Sequence, residues 1–266
     1  MSDDDYYTND EAVEMLARQK ELNFKPGDQF LYSNSGYFLM SVIVKRAIGK
    51  SLREFAEENI FKPLGMKNTH FLDDHTMIVK NRATGYSPRE EGGYRINMTT
   101  LDMVGDGGVC TTVEDLLLWD QNFYQNKLGG KDLVNQLLTP GTLNSGEKLS
   151  YAFGLGVGTY MGLKMVSHAG AFAGFRSQMI RFPEQRFSVM CLANLSTINP
   201  TKLCKQVADL YLSDEFKQEK PKFIELSEKE FKDKFGTFRD PKTGTICEVY
   251  IKDGKLMVNL FDTDFQ

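Results

Sequence analysis

Tyr32 and Asn34 stand two residues apart in the stretch Phe24 to Tyr37, Phe-Lys-Pro-Gly-Asp-Gln-Phe-Leu-Tyr-Ser-Asn-Ser-Gly-Tyr, where the pattern turns from an extended segment into a helix. A phenol placed there can accept a proton from a serine nucleophile, and an asparagine beside it can hold a substrate amide. Such a phenol is a useful base only next to cations that stabilise phenolate, because its ordinary pKa of about 10 keeps it protonated at neutral pH. Much further along, His168 ends an apolar strand pattern and leads into Ala169-Gly170-Ala171. Small residues at that position let a substrate backbone approach, and outward N–H groups there can form an oxyanion hole. An isolated Tyr-x-Asn is usually a packed tyrosine beside an asparagine in a turn, and a lone strand histidine is usually a satisfied core residue. Their order and surroundings raise them above that.

Those surroundings resemble the serine beta-lactamases and penicillin-binding proteins, in particular the class C beta-lactamase-related hydrolases, which carry Ser-x-x-Lys, then Tyr-x-Asn, then Lys-Thr-Gly or His-x-Gly. Tyr32-Ser33-Asn34 is similar to the second motif, inside a Pro-Gly-x-x-Phe-x-Tyr-Ser-Asn-x-Gly-Tyr run, and His168-Ala169-Gly170 to the third. Pro63-Leu64-Gly65-Met66, Gly107-Gly108-Val109 and Thr112-x-Glu114-Asp115-Leu116 extend the likeness from about Tyr7 to Leu212. The resemblance implies acyl transfer by an acyl-enzyme, with Tyr32, His168 and the Ala171 N–H as catalytic groups and Asn34 and Gly170 in contact with substrate. It also implies an ester, peptide or lactam as the small-molecule partner, no metal or organic cofactor, and a periplasmic or secreted location. His168 in the place of a lysine favours esterase or peptidase activity over lactam cleavage, since a largely neutral histidine holds a substrate carboxylate less firmly.

The thirty-one residues ahead of Tyr32 contain no Ser-x-x-Lys. The expectation is therefore a chain truncated before its nucleophile, inert and marginally stable alone, with a non-catalytic peptide- or acyl-ligand-binding module as the competing class. Ser145-Gly146-Glu147-Lys148 spells the motif after Tyr32, in turn composition that would not set serine and lysine one helical turn apart. Lys242-Thr243-Gly244 spells Lys-Thr-Gly, but Asp240-Pro241 ahead of it marks a hairpin turn. His70-Phe71-Leu72-Asp73-Asp74-His75 offers four potential metal ligands, yet histidines five apart share no helix face, so no metal is expected.

At 266 residues and 41% apolar the chain can bury a sizeable core, and its net charge of −4 gives no electrostatic footprint for nucleic acid. No apolar run reaches the roughly 18 residues of a membrane span. Cys110, Cys191, Cys204 and Cys247 are too scattered for a zinc or redox pair and read as free thiols.

The periodicities predict helices over Asp10–Gln19, Ser35–Ile48, Leu52–Ile60, from Thr112 through Phe123, and over Lys131–Leu138, the second apolar nearly all round and hence buried. A short strand should end at Tyr32. The helix starting at Thr112 should carry Leu116, Leu117, Trp119 and Phe123 into a core. Strands over Tyr151–Tyr160, Lys164–His168, Arg176–Phe182 and Phe187–Asn194 should form antiparallel hairpins, covered by a helix from Pro200 to Leu212 capped by Asn199. The fold class is α+β, beta-lactamase/transpeptidase-like: an antiparallel sheet flanked by helices, with a helical subdomain. The domains are then 1–215 as a partial catalytic domain and 216–226 as a linker. Residues 227–266 would be an incomplete lipocalin-like β segment, opening with a helix capped by Ser227 and holding the first hairpin of a small β domain.

Overall fold

Two-residue turns set the architecture of the sheet. Met161-Gly162, both at positive φ, joins β5 (Gly156–Tyr160) to β6 (Leu163–Phe172), and Ala173-Gly174 joins β6 to β7 (Phe175–Phe182). Loops this short allow only antiparallel pairing. With β8 (Phe187–Ala193) the order is β5-β6-β7-β8, antiparallel throughout. The computed structural model describes residues 7–217, 235–239, 246–252, 255–260 and 263–265.

One face of this sheet is covered by the helix Pro200–Leu212, capped by Asn199 Oδ1 accepting from the Lys202 N–H. Leu163, Ile180 and Phe182 from the strands bury against Cys204, Ala208 and Leu212 from that helix. Alternation along β7 turns Arg181 to the other face, where it meets the helix Val113–Gln125. Arg181 is fully buried; its Nε donates to Asp120 Oδ1, which also accepts from Ser188 Oγ at 2.9 Å. Its guanidinium lies 4.0 Å over the Phe123 ring. The Asp120 ion pair through Nε and the Phe123 and Tyr124 faces offset the lost water, while Nη1 and Nη2 make no hydrogen bond among the described residues.

In chain order the helices are α1 (Asn9–Ala17), α2 (Asn34–Ile48), α3 (Leu52–Ala56), α4 (Lys62–Leu64), α5 (Val113–Gln125), α6 (Gly130–Leu137) and α7 (Pro200–Leu212). A π-helical turn, Glu57–Phe61, links α3 to α4, so the helix predicted to stop near Ile60 runs on until Gly65 ends it in the left-handed conformation. Thr8 and Ser51 close capping boxes on α1 and α3, Ser33 caps α2 and Thr112 caps α5, as side-chain oxygens at helix starts should. Two short strand pairs accompany them: β1 (His70–Phe71) pairs β4 (Val109–Cys110), and β2 (Tyr86–Pro88) pairs β3 (Tyr94–Ile96).

The structure departs from the sequence reading in several places. No strand precedes Tyr32: residues 29–33 are irregular and exposed, because no neighbouring strand offers them a ladder. In α2 only Phe38 and Ser41 are buried while Met40, Ile43 and Ile48 are exposed, since an apolar sequence buries only the faces a neighbour covers. Leu117 is likewise 52% exposed, and α5 buries Asp115, Asp120 and Asn122 with Phe123 instead. The first strand of the sheet starts at Gly156 rather than Tyr151, which makes only an isolated bridge.

The chain divides into two compact units, Met1–Gln218 and Glu219–Gln266. In the second, β9 (Gly236–Arg239), β10 (Ile246–Lys252), β11 (Lys255–Leu260) and β12 (Thr263–Phe265) form an antiparallel meander, four strands where one hairpin was predicted. The helix expected after Ser227 and the Lys242-Thr243-Gly244 turn lie outside the described residues. Removing one partner of a buried ion pair strands the other charge, so Asp120→Ala is expected to lower unfolding stability by about 3–5 kcal/mol. Urea denaturation followed by circular dichroism checks this; an unchanged midpoint would mean that Arg181 finds compensation elsewhere.

Candidate active site

Tyr32 sits just ahead of α2, its lead-in held by a distant turn. Asn144 donates its backbone N–H to Gly27 O at 2.8 Å and its side-chain amide to Pro26 O and Asp28 Oδ1 at 3.1 and 3.0 Å. Gly27 takes φ +84°, with Asn144 packed where a Cβ would stand, so no other residue suits that close approach. The half-exposed Tyr32 ring comes within 6.2 Å of the His168 ring and 6.0 Å of the Tyr151 ring, centroid to centroid. Two sequence-predicted residues far apart along the chain, Tyr32 and His168, are thereby brought together. Tyr151 is a member that sequence reasoning missed; its signal is the Gly154-Leu155-Gly156 just after it, which bends the chain so that Tyr151 precedes the strand.

His168 is wired through both ring nitrogens. Nδ1 lies 2.6 Å from Ala169 O, and because a carbonyl can only accept, Nδ1 carries the proton. Nε2 lies 2.9 Å from the Tyr151 hydroxyl. Burial, with Tyr32 and Tyr37 adding to it, pushes the Tyr151 phenol up to about 12. Tyr151 therefore holds its proton at neutral pH, and with Nδ1 donating to Ala169 O it is the phenol that donates to Nε2. Tyr32 is also raised, by burial first, then by the Asp106 carboxylate and Tyr37. The Nε2 of His168 is thus engaged by Tyr151.

Ala171 owes its position to unequal pairing of β6. The register pairs β5 with β6 only as far as Gly156 opposite Ser167, while β7 pairs with β6 to Phe172 opposite Phe175. Both two-residue hairpins fix the same parity: odd-numbered β6 residues bond toward β5 and even-numbered ones toward β7. Beyond Ser167 the N–H groups of Ala169 and Ala171 therefore point to an edge where β5 has ended. Gly170 faces across the pair to Ser177, whose Oγ occupies the space a Cβ at 170 would need. Asn34 is the first residue of α2 and exposed; the cap is made by Ser33 Oγ, accepting from Gly36 N–H at 3.2 Å, which leaves the Asn34 amide unused by the helix.

Ser145 and Lys148 lie exposed on a small turn, where Gly146 N–H donates to Leu143 O and Ser145 Oγ accepts from Glu147 N–H at 3.3 Å. Without a helix between them the amine is not presented to the hydroxyl. Asp74, His75 and Asp102 gather ligand atoms within 4.8 Å of one another, but His75 already spends its backbone N–H and Nδ1 on Asp102 Oδ1 at 2.6 and 3.0 Å. His70, by contrast, sits in β1 opposite Cys110.

A family profile described as Beta-lactamase matches residues 1–209. Among curated proteins, the D-aminopeptidase of Brucella ovis (strain ATCC 25840 / 63/290 / NCTC 10512) is 28% identical over 185 residues, 70% of this chain and 35% of that protein. The D-aminopeptidase of Brucella anthropi is 27% identical over 184 residues, 69% of this chain and 35% of the relative. The chain thus spans about a third of the length of these relatives. The octameric penicillin-binding protein homologue from Pyrococcus abyssi superposes with a TM-score of 0.72 at 23% identity, covering 97% of this chain and 59% of the other. The D-amino acid amidase from Ochrobactrum anthropi SV3, solved with L-phenylalanine amide, gives 0.58 at 21% identity, over 73% of this chain and 59% of the other. At such identities the structural likeness speaks for the fold.

The hydrogen-bonded phenols generate a spectroscopic expectation. In an ultraviolet pH titration a late phase near pH 12 should contain Tyr151 together with Tyr160, which burial and Asp209 also raise to about 12. Tyr151→Phe should remove about half of that phase and leave the Tyr160 part. For a raised acid the native-state advantage is complete below the unfolded pKa of about 10 and is lost as pH climbs through the folded value. The stability difference between wild type and Tyr151→Phe should accordingly shrink between pH 10 and 12.

Proposed function

The chain belongs to the beta-lactamase family, and from that membership and the cluster of Tyr32, Tyr151 and His168 we propose that it serves the hydrolysis of amides or esters through an acyl-enzyme. The names of its relatives narrow the proposed substrates to amides and short peptides of D-amino acids, ahead of lactams. What supports this reading is the meeting of Tyr32, Tyr151 and His168 beside an open strand edge. In the proposed cycle a serine hydroxyl attacks the carbonyl, its proton passes through a lysine and Tyr32, and the Ala171 N–H binds the oxyanion. A water then releases the acyl group. Raised by burial, the Tyr32 phenol is suited to giving a proton to the departing amine, and a lysine cation near it would be needed to make it a base. Asn34, with its amide free of the helix cap, would hold the substrate amide, and the Gly170 backbone would lie along it. No step calls for a metal or organic cofactor.

The 266 residues contain one Ser-x-x-Lys, the exposed Ser145 turn, so the nucleophile and its lysine are proposed to come from outside this sequence, which would be inert alone. A second reading, ligand binding without turnover, is favoured by the raised pKa of Tyr32, on which burial, Asp106 and Tyr37 act and no cation among the described residues does. Incubation with a fluorophosphonate or a fluorescent penicillin separates them. The 266-residue chain should stay unlabelled, and a longer polypeptide bearing an upstream Ser-x-x-Lys should label stoichiometrically. Absence of label in both would favour the binding module, and labelling of Ser145 in the short chain would overturn the assignment. In the longer polypeptide, Tyr32→Phe should lower turnover roughly 10²- to 10⁴-fold with substrate affinity retained, as measured by steady-state kinetics and binding.

A further inference from the structure

Gln178 is a polar side chain in an apolar layer. Strand alternation puts it on the face of β7 that also presents Ile180 and Phe182 to α7, and it is 4% exposed. A buried amide costs free energy unless its donors and its acceptor are all used. Here Nε2 donates to His168 O and to Met179 O, each at 3.0 Å, and Oε1 accepts from the Thr201 hydroxyl at 2.5 Å. Because the two carbonyls can only accept, the amide must face them with its nitrogen, and the threonine is then the donor to its oxygen. Thr201 is the second residue of α7. The amide therefore bridges a helix start to the strand that carries His168.

His168 and Met179 are cross-strand partners. By the parity of the hairpin they exchange both backbone hydrogen bonds, so each carbonyl already accepts an N–H and the Gln178 amide takes up a second lone pair on each. The His168 carbonyl shares its peptide group with the Ala169 N–H. In a planar trans peptide the two point in opposite directions. Drawing the oxygen toward β7 therefore aims the Ala169 N–H at the edge where β5 has ended. Accepting two hydrogen bonds also polarises the group and strengthens its N–H as a donor. Across the sheet from Gln178, the His168 ring closes onto Ala169 O, with Nδ1 at 2.6 Å, so a tilt of this peptide would be felt in the ring.

We propose that Gln178 is a positioning residue, which with Thr201 ties the start of α7 to the His168–Ala169 peptide and holds the open edge of β6 in the orientation that presents its N–H groups. Resting on the proposed hydrolytic reading, the consequence is that α7, across the sheet from the His168 ring, helps to aim the donors on which a substrate carbonyl oxygen would rest. The link itself belongs to the folded 266-residue chain and is measurable without turnover.

The ring nitrogens of His168 report on it, because they lie across the sheet from the substituted side chains. In the ¹⁵N-labelled 266-residue chain, NMR should show the ring proton on Nδ1. Gln178→Met keeps the length of the side chain and removes both donors; the two ring ¹⁵N shifts should move toward each other as the other tautomer becomes populated, with the circular dichroism unchanged. Thr201→Val should give a smaller displacement in the same direction, and none beyond that of Gln178→Met when the two are combined, since the hydroxyl acts through the amide. If Gln178→Met does not fold, Thr201→Val alone carries the test. An unmoved ring in folded Gln178→Met or in Thr201→Val, or a Thr201→Val displacement that persists in the double variant, would each overturn the proposal. In the longer polypeptide, Gln178→Met should lower kcat roughly ten-fold with KM little changed, a fraction of the roughly 10²- to 10³-fold that a lost oxyanion donor costs. A longer polypeptide that takes no serine label would leave the ring shifts untouched and count against the hydrolytic reading alone.

Discussion

The unequal pairing of β6 is the constraint on which the rest of the site depends. Its β7 edge is satisfied along the whole hairpin, while its β5 edge is satisfied only up to Ser167. Beyond it, Ala169 and Ala171 carry backbone groups aimed away from β7 with no strand to receive them. An unpaired edge is ordinarily a liability, a template for another chain. Here it is flanked by the Tyr32 and Tyr151 rings, which shield it without pairing it and leave N–H groups accessible to a carbonyl oxygen. Had β5 continued past Gly156, the ladder would have consumed those groups.

Burial rather than charge governs protonation around that edge. After burial, Tyr32 and Tyr37 add to the cost of ionising Tyr151, and the Asp106 carboxylate and Tyr37 add to that of Tyr32. The result is a set of donors at neutral pH, one of which fixes the tautomer of His168. A cation in this cleft would reverse the balance, because opposite charge within a few ångströms outweighs partial desolvation. The protonation of Tyr32 is thus set by whatever charge stands beside it as well as by its burial.

Two further contacts hold the edge where it is. On one sheet face Arg181 ties β7 to α5 through Asp120, with Ser188 of β8 joining the same carboxylate. At the far end Gly85 and Gly174 let two hairpins touch backbone to backbone, so the tip of β6–β7 has little freedom to swing. The first contact fixes the sheet against the helices, the second fixes the tip, and His168 to Ala171 lie between.

Much of this was legible in the sequence by itself. Helix starts were readable because caps are local: Thr112, Ser51 and Asn199 each satisfy the N–H three residues on. Hairpins were readable because short Gly-containing turns leave no choice but antiparallel strands. The residue types at Tyr32 and His168 announced chemistry through their motifs. Tertiary structure alone decided the rest, for reasons that are non-local. Whether the apolar α2 is buried depends on which neighbours cover it, and Met40 and Ile43 show that only part of it is covered. Whether residues 29–33 form a strand depends on a partner that no local pattern encodes. The pairing of Tyr151 with His168, the placing of Arg176 opposite Ala171, and the buried Arg181–Asp120 pair each join residues on different elements. Distance in space, which sets hydrogen bonding, desolvation and charge coupling alike, is fixed only once the chain has closed on itself.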